Sequence, residues 1–236
     1  MLPIIILAGG KGTRLRDVVS DVPKCLAPVG KISFLELLLN HIESFKVKKI
    51  YLSLGYKSEL VVPIVSKRKS NSSLDWHLEK KPLGTGGAIK ACMEKFQLKQ
   101  AIVINGDTWL NGSLDKIFNS DMPKKMLMTM GVAYVEDRKR YGAVEINKNV
   151  ITNYGEKGIE EPGYINVGIY NIKYECFANQ EIDTHFSFEE RIIPDLLKKK
   201  AIQPALLDID FIDIGVPEDY FSFIQNFEDL YKINNC

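Results

Sequence analysis

The chain has 236 residues, of which 45% are hydrophobic and 26% charged, and its 31 basic and 30 acidic side chains leave a formal net charge of +1. This composition lies far from the polar, highly charged corner in which chains fail to collapse, and it lacks the basic excess of a general nucleic-acid binder. The length suits one α/β domain with a sizeable core, so any anion the protein handles must be met by a local set of donors. Cys25, Cys92, Cys176 and Cys236 are too scattered for a Cys-x-x-Cys pair or a zinc spacing, which points to free thiols in a reducing compartment. The apolar run at Ile4 is too short for a signal peptide and has no basic flank. No later run approaches the roughly 20 apolar residues of a membrane helix. A cytoplasmic protein is expected, with neither a nucleic acid nor a membrane as partner.

In chain order, Ile4 to Leu7 predicts a buried strand that ends in glycines. Ser33-Phe34-Leu35-Glu36 is a capping-box sequence opening a helix, along which Phe34, Leu37, Leu38, Ile42 and Phe45 recur at helical spacing. Lys49 to Leu54, Leu74 to Leu78 and Ala101 to Asn105 predict further strands, and their alternation with helical segments is the pattern of βαβ units around a parallel sheet. Beyond this point Met126 to Val135, Ala143 to Ile146 and Tyr164 to Ile172 predict strands joined by turn-rich loops. Helices are predicted at Ser187 to Lys200, with a second capping box from Ser187 to Glu190, and at Pro217 to Ile233. The expected fold is α/β, a Rossmann-like, mostly parallel sheet flanked by helices, with a mixed β/α second half. No linker or repeat divides the chain, so residues 1–236 are read as one domain: 1–110 mainly bind nucleotide, and 111–236 complete the cleft.

The first chemical motif is Leu7-Ala8-Gly9-Gly10-Lys11-Gly12-Thr13-Arg14-Leu15, directly after a strand. It fails the dinucleotide pattern because Leu15 stands where glycine is needed, and it fails the Walker pattern because Gly12 follows Gly10-Lys11. What remains is a glycine loop whose N–H groups can approach a triphosphate, with Lys11 and Arg14 supplying charge. A tight turn alone would account for one such glycine.

A second glycine-rich turn, Glu79-Lys80-Lys81-Pro82-Leu83-Gly84-Thr85-Gly86-Gly87-Ala88, follows a strand and opens a helix. The plainer reading is a helix N-terminus capped by Thr85. Asn105-Gly106-Asp107-Thr108 places Asp107 at the carboxyl end of a strand, where open α/β sheets meet ligands. Far downstream, Phe211-Ile212-Asp213-Ile214-Gly215 offers another aspartate, with Asp208 and Asp210 as nearby competitors. An isolated aspartate before a turn is commonly a turn residue. His41, His77 and His185 match no metal or catalytic spacing.

Leu7 to Leu15 together with Pro23-Lys24-Cys25-Leu26-Ala27-Pro28-Val29 resembles the paired signature of the sugar-1-phosphate nucleotidyltransferases. The resemblance implies that Leu7, Ala8, Gly9, Gly10, Gly12 and Thr13 wrap a nucleoside triphosphate, that Arg14 holds the departing pyrophosphate, and that Lys24 meets the phosphates near the reacting centre. Outside this pairing Lys24 would read as a solvated loop lysine. The likeness also implies that Gly84 and Thr85 pack on base and ribose, and that Asp107 and Asp213 bind metal. Two carboxylates sharing phosphate oxygens and water suit Mg²⁺. Tyr141-Gly142-Ala143-Val144, Glu156-Lys157 and Asn166-Val167-Gly168 are similar to the family's sugar-phosphate elements. Lys157 would then hold the sugar phosphate, and Gly142, Glu156 and Asn166 would bind sugar hydroxyls. Read alone, Glu156-Lys157 is a solvated turn.

Within the family the chain is most similar to the D-glycero-α-D-manno-heptose 1-phosphate guanylyltransferases, through Arg14-Leu15-Arg16-Asp17-Val18-Val19-Ser20-Asp21-Val22-Pro23-Lys24 and Ser187-Phe188-Glu189-Glu190. Cys25 departs from the usual proline or alanine. The implied substrates are GTP and a heptose 1-phosphate, giving GDP-heptose and pyrophosphate for surface polysaccharide synthesis. Guanine presents N1–H and a 2-amino group side by side, a pair that a carboxylate accepts, and Glu79 is the candidate acceptor. A homodimer is among the implied states. No second, acyltransferase activity is expected, since the C-terminal repeat domain of larger relatives has no counterpart here. Three other readings stand beside this one: transfer of a uridylyl, cytidylyl or thymidylyl group to a hexose 1-phosphate, a catalytically silent nucleotide-binding subunit, and a dinucleotide-dependent oxidoreductase. The second should lack Lys24, Asp107 or Asp213, and the third fails on the glycine spacing.

Overall fold

The structure is a computed structural model that describes residues 1–12, 14–15, 18–155, 158, 160–181 and 184–233, the last six by their backbone only. The elements of the first half are β1 (Ile4–Leu7), β2 (Pro28–Val29), β3 (Ile32–Ser33), α1 (Phe34–Ser44), β4 (Lys49–Leu54), α2 (Ser58–Lys67), β5 (Ser73–Leu78), α3 (Gly84–Lys95) and β6 (Gln100–Asn105). The second half adds β7 (Thr108–Gly112), α4 (Asp115–Phe118), β8 (Met128–Val135), β9 (Ala143–Asn147), β10 (Val150–Tyr154), β11 (Gly163–Lys173), α5 (Ile193–Lys198), β12 (Ile202–Leu206), β13 (Ile209–Asp213) and α6 (Pro217–Ile233).

The central sheet runs β10-β9-β11-β6-β1-β4-β5, and β8 and β12 continue it from β11. β1 pairs in parallel with β4 and with β6, and β4 with β5, while β11 lies antiparallel to β6. The sheet is thus parallel through β6, β1, β4 and β5 and mixed from β11 onward, as the expected α/β architecture has it. Alternation along the short strand β1 divides the core. Ile4 and Ile6 face α1 and α2 in one buried cluster, whereas Ile5 joins Ile89, Cys92 and Met93 of α3 in another on the opposite face.

α1 begins as its sequence predicts. The Ser33 hydroxyl oxygen accepts the Glu36 N–H while the Glu36 carboxylate accepts the Ser33 N–H at 2.9 Å, a reciprocal cap worth about 1 kcal/mol. The predicted helix from Ser187 to Lys200 departs from expectation. The Ser187 oxygen accepts the Glu190 N–H at 3.1 Å, but its own O–H turns to Glu189, and the chain winds through a π turn at Phe188–Ile192 before α5 ends at Lys198. Pro194, which has no N–H to continue an α-helical ladder, follows that turn directly. Among the described residues no helix is long and apolar enough to cross a membrane.

Parallel pairing brings three strand ends level, Leu7 opposite Ser53 on one side and Asn105 on the other. The segments leaving these ends therefore form one rim, which is where an open α/β sheet meets its ligands.

Candidate active site

A cleft of about 540 Å³ opens on that rim, walled by Gly9 and Gly10 after β1, Tyr56 after β4, Glu79 after β5, and Asn105 and Asp107 from β6 and the turn that follows it. Local hydrogen bonds fix the glycine loop to its neighbours. Ala8 N–H donates to Ser53 O at 2.9 Å, Tyr56 N–H donates to Gly9 O at 3.1 Å, and the Cys25 thiol lies beneath, 3.9 Å from Ala8 O. Burial pushes that thiol's pKa up to about 12, so Cys25 is a packing residue. A Cβ on Gly10 would meet nothing within 4 Å, so this stretch of backbone faces open space. Thr13 lies outside the described residues.

The charged centre is built from both ends of the chain. The Lys24 ammonium donates to Asp107 Oδ2 at 2.6 Å and to Asp213 Oδ1 at 3.5 Å, and Arg14 approaches Asp213 Oδ2 at 3.9 Å. Lys24 is largely enclosed, with only 11% of its side chain exposed, whereas the Arg14 side chain is 62% exposed. Two glycines make room for the lysine. Gly12 has φ +57 and a Cβ there would stand 2.8 Å from Lys24 Cβ, while a Cβ on Gly215 would fall 1.7 Å from Lys24 Nζ. The distant aspartates meet because β13 pairs antiparallel with β7. Asp213 is in register with Thr108, the residue after Asp107, and Ile214 N–H donates to Asp107 O at 3.0 Å. Among the described residues the ion pairs of Lys24 are with Asp107 and Asp213, not with Asp208 or Asp210, and Asp210 instead accepts from Asn111 at 3.4 Å.

Two carboxylates already converge on one cation here, which is the donor chemistry a divalent ion needs. Among the described residues no group of three or more His, Cys, Asp or Glu gathers into an all-protein cage. An ion at this place would keep most of its shell for water and phosphate, as Mg²⁺ does. Asp107 and Asp213 fit that ion.

Glu79 lies at the other end of the cleft. Its carboxylate accepts Leu83 N–H at 3.0 Å and the Ser53 hydroxyl at 3.4 Å, and burial raises its pKa against the lowering effect of both bonds. The second glycine turn is used differently from expectation. Thr85 does not cap α3, whose N-cap Leu83 makes no side-chain bond. Instead the Thr85 hydroxyl accepts Phe188 N–H at 2.8 Å and donates to Glu189 Oε2 at 2.7 Å. Gly84, with φ +70, and Gly86 lie where a Cβ would strike Phe186, at 2.5 Å from its carbonyl oxygen and 2.3 Å from its ring. These glycines admit a close crossing by the second half of the chain, while Gly84 and Thr85 still line the cleft.

On the remaining side, Asn166 N–H donates to Gly142 O at 3.3 Å, and a Cβ on Gly142 would press on the Tyr154 ring at 2.9 Å. The Asn166 side chain donates to the Tyr170 hydroxyl at 2.6 Å and accepts Gly168 N–H at 3.0 Å, which holds the bulge in β11 beside Asn105. Arg140 makes a bidentate pair with Asp219 at the start of α6, and Tyr141 packs edge-on against Phe211 of β13. This loop is thereby tied to the element that carries Asp213. Glu156 and Lys157 lie outside the described residues. Ser53, Asn105, Tyr56 and Glu189 line the cleft although none was singled out as a site residue; Asn105 and Glu189 stood in motifs read for other residues, and Ser53 and Tyr56 in none. Ser53, Asn105 and Tyr56 could be found from their position at the carboxyl ends of strands adjoining β1.

The nucleotidyl transferase family model matches residues 4–229. A D-glycero-alpha-D-manno-heptose 1-phosphate guanylyltransferase of Campylobacter jejuni is 35% identical over 223 residues, covering 94% of this chain and 98% of the relative. One of the same description from Aneurinibacillus thermoaerophilus is 34% identical over 216 residues, covering 92% and 94%. The crystal structure of HddC from Yersinia pseudotuberculosis complexed with GMP-PN superimposes with a TM-score of 0.83 at 34% identity, covering 96% of this chain and all of that one.

Proposed function

Since this chain belongs to the nucleotidyl transferase family, we propose that it transfers the guanylyl group of GTP to D-glycero-α-D-manno-heptose 1-phosphate, giving GDP-heptose and pyrophosphate for surface polysaccharide synthesis. The observation that carries the reaction class is the convergence of Lys24, Arg14, Asp107 and Asp213 at a cleft walled by a glycine loop. The base and the sugar rest on the likeness to two guanylyltransferases along nearly the whole chain.

A sugar 1-phosphate oxygen attacks the α-phosphorus in line with the departing pyrophosphate. No general base is required, because a phosphate monoester is already ionised at neutral pH. The demand on the protein is to gather two polyanions and align them, which is positioning and charge stabilisation. Lys24, held from behind by Asp107 and Asp213, presents its ammonium to the α-phosphoryl group. Exposed Arg14 follows the pyrophosphate, and the Gly9 to Gly12 backbone cradles the chain of phosphates. Mg²⁺, held by Asp107 and Asp213, would neutralise phosphate oxygens. Glu79, at the far end of the cleft, accepts the adjacent donors of guanine. Lys157 holds the phosphate of the acceptor, Gly142, Glu156 and Asn166 bind its sugar hydroxyls, and the two halves of residues 1–236 act as one domain.

GTP as donor places the work in the cytoplasm, and light scattering would read whether the chain works as a homodimer. Pyrophosphate release with each of four triphosphates against a panel of sugar 1-phosphates, with Mg²⁺ and then with chelator, tests the proposal. Turnover should be fastest with GTP and the heptose 1-phosphate and should vanish with chelator. Equal or better turnover with UTP, CTP or dTTP and a hexose 1-phosphate would overturn the assignment.

A further inference from the structure

Glu189 comes from the π turn of the second half yet lines the cleft of the first. Its carboxylate accepts the Thr85 hydroxyl at 2.7 Å and the Ser187 hydroxyl at 3.2 Å. Among the described residues both of these bonds fall on Oε2, so Oε1 keeps its lone pairs for a ligand. Phe188, the residue before Glu189, packs edge-on against Tyr170 with ring centres 5.1 Å apart, and the Tyr170 hydroxyl accepts from Asn166 at 2.6 Å. Glu189 therefore stands at the seam between the nucleotide loop and the sugar-side strands, on a segment that packs against both.

A carboxylate in that place repels phosphate. The group it faces must be neutral and rich in O–H donors, and the vicinal hydroxyls of a sugar ring meet both conditions. Two rings in this reaction carry such hydroxyls, the acceptor sugar and the ribose of the nucleotide. The packing of Phe188 on Tyr170, whose hydroxyl is bonded to Asn166, favours the acceptor. We propose that Glu189 is a specificity-determining residue whose Oε1 accepts hydroxyls of the acceptor sugar, while its Oε2 is locked by Thr85. This rests on the reading of the chain as a sugar-1-phosphate nucleotidyltransferase. It makes Thr85 a positioning residue for Glu189.

The test is Glu189→Gln, which retains the size of the side chain and an oxygen for Thr85 but removes the charge. KM for the sugar 1-phosphate should rise about 10- to 100-fold, the loss of one charge-assisted hydrogen bond or two. KM for GTP should stay within about twofold, and the preference for GTP over 2′-deoxy-GTP should be unchanged. A rise in the GTP KM with collapse of that preference would assign Glu189 to the ribose and overturn the proposal. A lowered melting temperature with both KM values unchanged would make the residue merely structural and overturn it equally. Should the Gln variant fail to fold, Glu189→Asp keeps the charge but withdraws it from the cleft, and the same split between the two KM values is expected. Should the wild type turn over no pair, the proposed function falls, but calorimetric titration with heptose 1-phosphate still decides this point: tighter binding to wild type than to E189Q supports it, and equal binding refutes it.

Discussion

Gly215→Ala isolates the role of Lys24 without replacing a charged residue. A methyl group at residue 215 would lie 1.7 Å from Lys24 Nζ, 2.6 Å from its Cε and 2.8 Å from Asp213 Oδ1, so the ammonium must leave its place between the two carboxylates. The displaced atoms are the ends of flexible side chains. The folding cost is thus confined to the charge-assisted bonds from Lys24 to Asp107 and Asp213, about 1.5 to 3 kcal/mol. For a chain of this length that lowers Tm by roughly 3 to 12 °C. Catalysis should suffer more, because an ammonium aimed at developing phosphoryl charge contributes on the scale of other preorganised donors, and kcat should fall about 10²- to 10³-fold. Pyrophosphate release read beside a thermal melt separates the two effects. A double-mutant cycle sharpens the point: in a Lys24→Ala background Gly215→Ala should cost almost nothing further, since the group it displaces is gone. If G215A keeps kcat within about twofold of wild type, or if the two losses simply add, Lys24 does not work from this slot.

Four further outcomes follow from the same geometry. Glu79→Gln should erase the preference for GTP over the other triphosphates, and an unchanged preference would remove Glu79 as the reader of guanine. The same variant tests the raised pKa of Glu79. A carboxyl whose folded pKa exceeds its unfolded value contributes stability at low pH and loses it as pH rises through the folded pKa, so Tm of Gln minus Tm of wild type should grow from pH 4 to pH 7. A flat difference contradicts the burial argument. Gly86→Ala, whose methyl would stand 2.3 Å from the Phe186 ring, should destabilise by about 1 to 3 kcal/mol in urea unfolding and loosen the Thr85–Glu189 contact, and a neutral result would deny the close crossing. Cys25, Cys92 and Cys176, each raised to about 12 by burial, should resist iodoacetamide in the native protein and react after unfolding, as peptide mass mapping would show.

The parallel half of the fold was legible because its signals are local. Ser33 and Glu36 cap a helix by themselves, and Ile4 to Leu7 is apolar on both faces, as a strand covered on both sides must be. Asp107 and Asp213 could be named from their motifs, but β7 and β13, which bring them together, could not. Thr108–Gly112 looks like the tail of a turn, and its partner strand lies about a hundred residues away. The hairpin between β9 and β10 was hidden for another reason: it turns on Lys148 and Asn149, both at positive φ, without the Asn-Gly pair that normally signals such a turn. Strand β12 carries Pro204, which discourages a strand reading and is accommodated where β12 ends its branch of the sheet. At α3 the glycines were visible but their use was not. A sequence shows that a Cβ is missing, and only the fold shows that Phe186 occupies its place. Glu189 was invisible as a site residue because its partner, Thr85, comes from the opposite half of the chain.

Transfer of a guanylyl group onto a sugar phosphate in this cleft is measured most directly by following the α-phosphorus itself. With GTP labelled on that phosphorus, heptose 1-phosphate and Mg²⁺, the label should appear in a GDP-sugar, one equivalent for each pyrophosphate released, and Lys24→Ala should abolish the transfer. Label that stays in GTP, or that passes equally well from labelled UTP to a hexose 1-phosphate, would contradict the account.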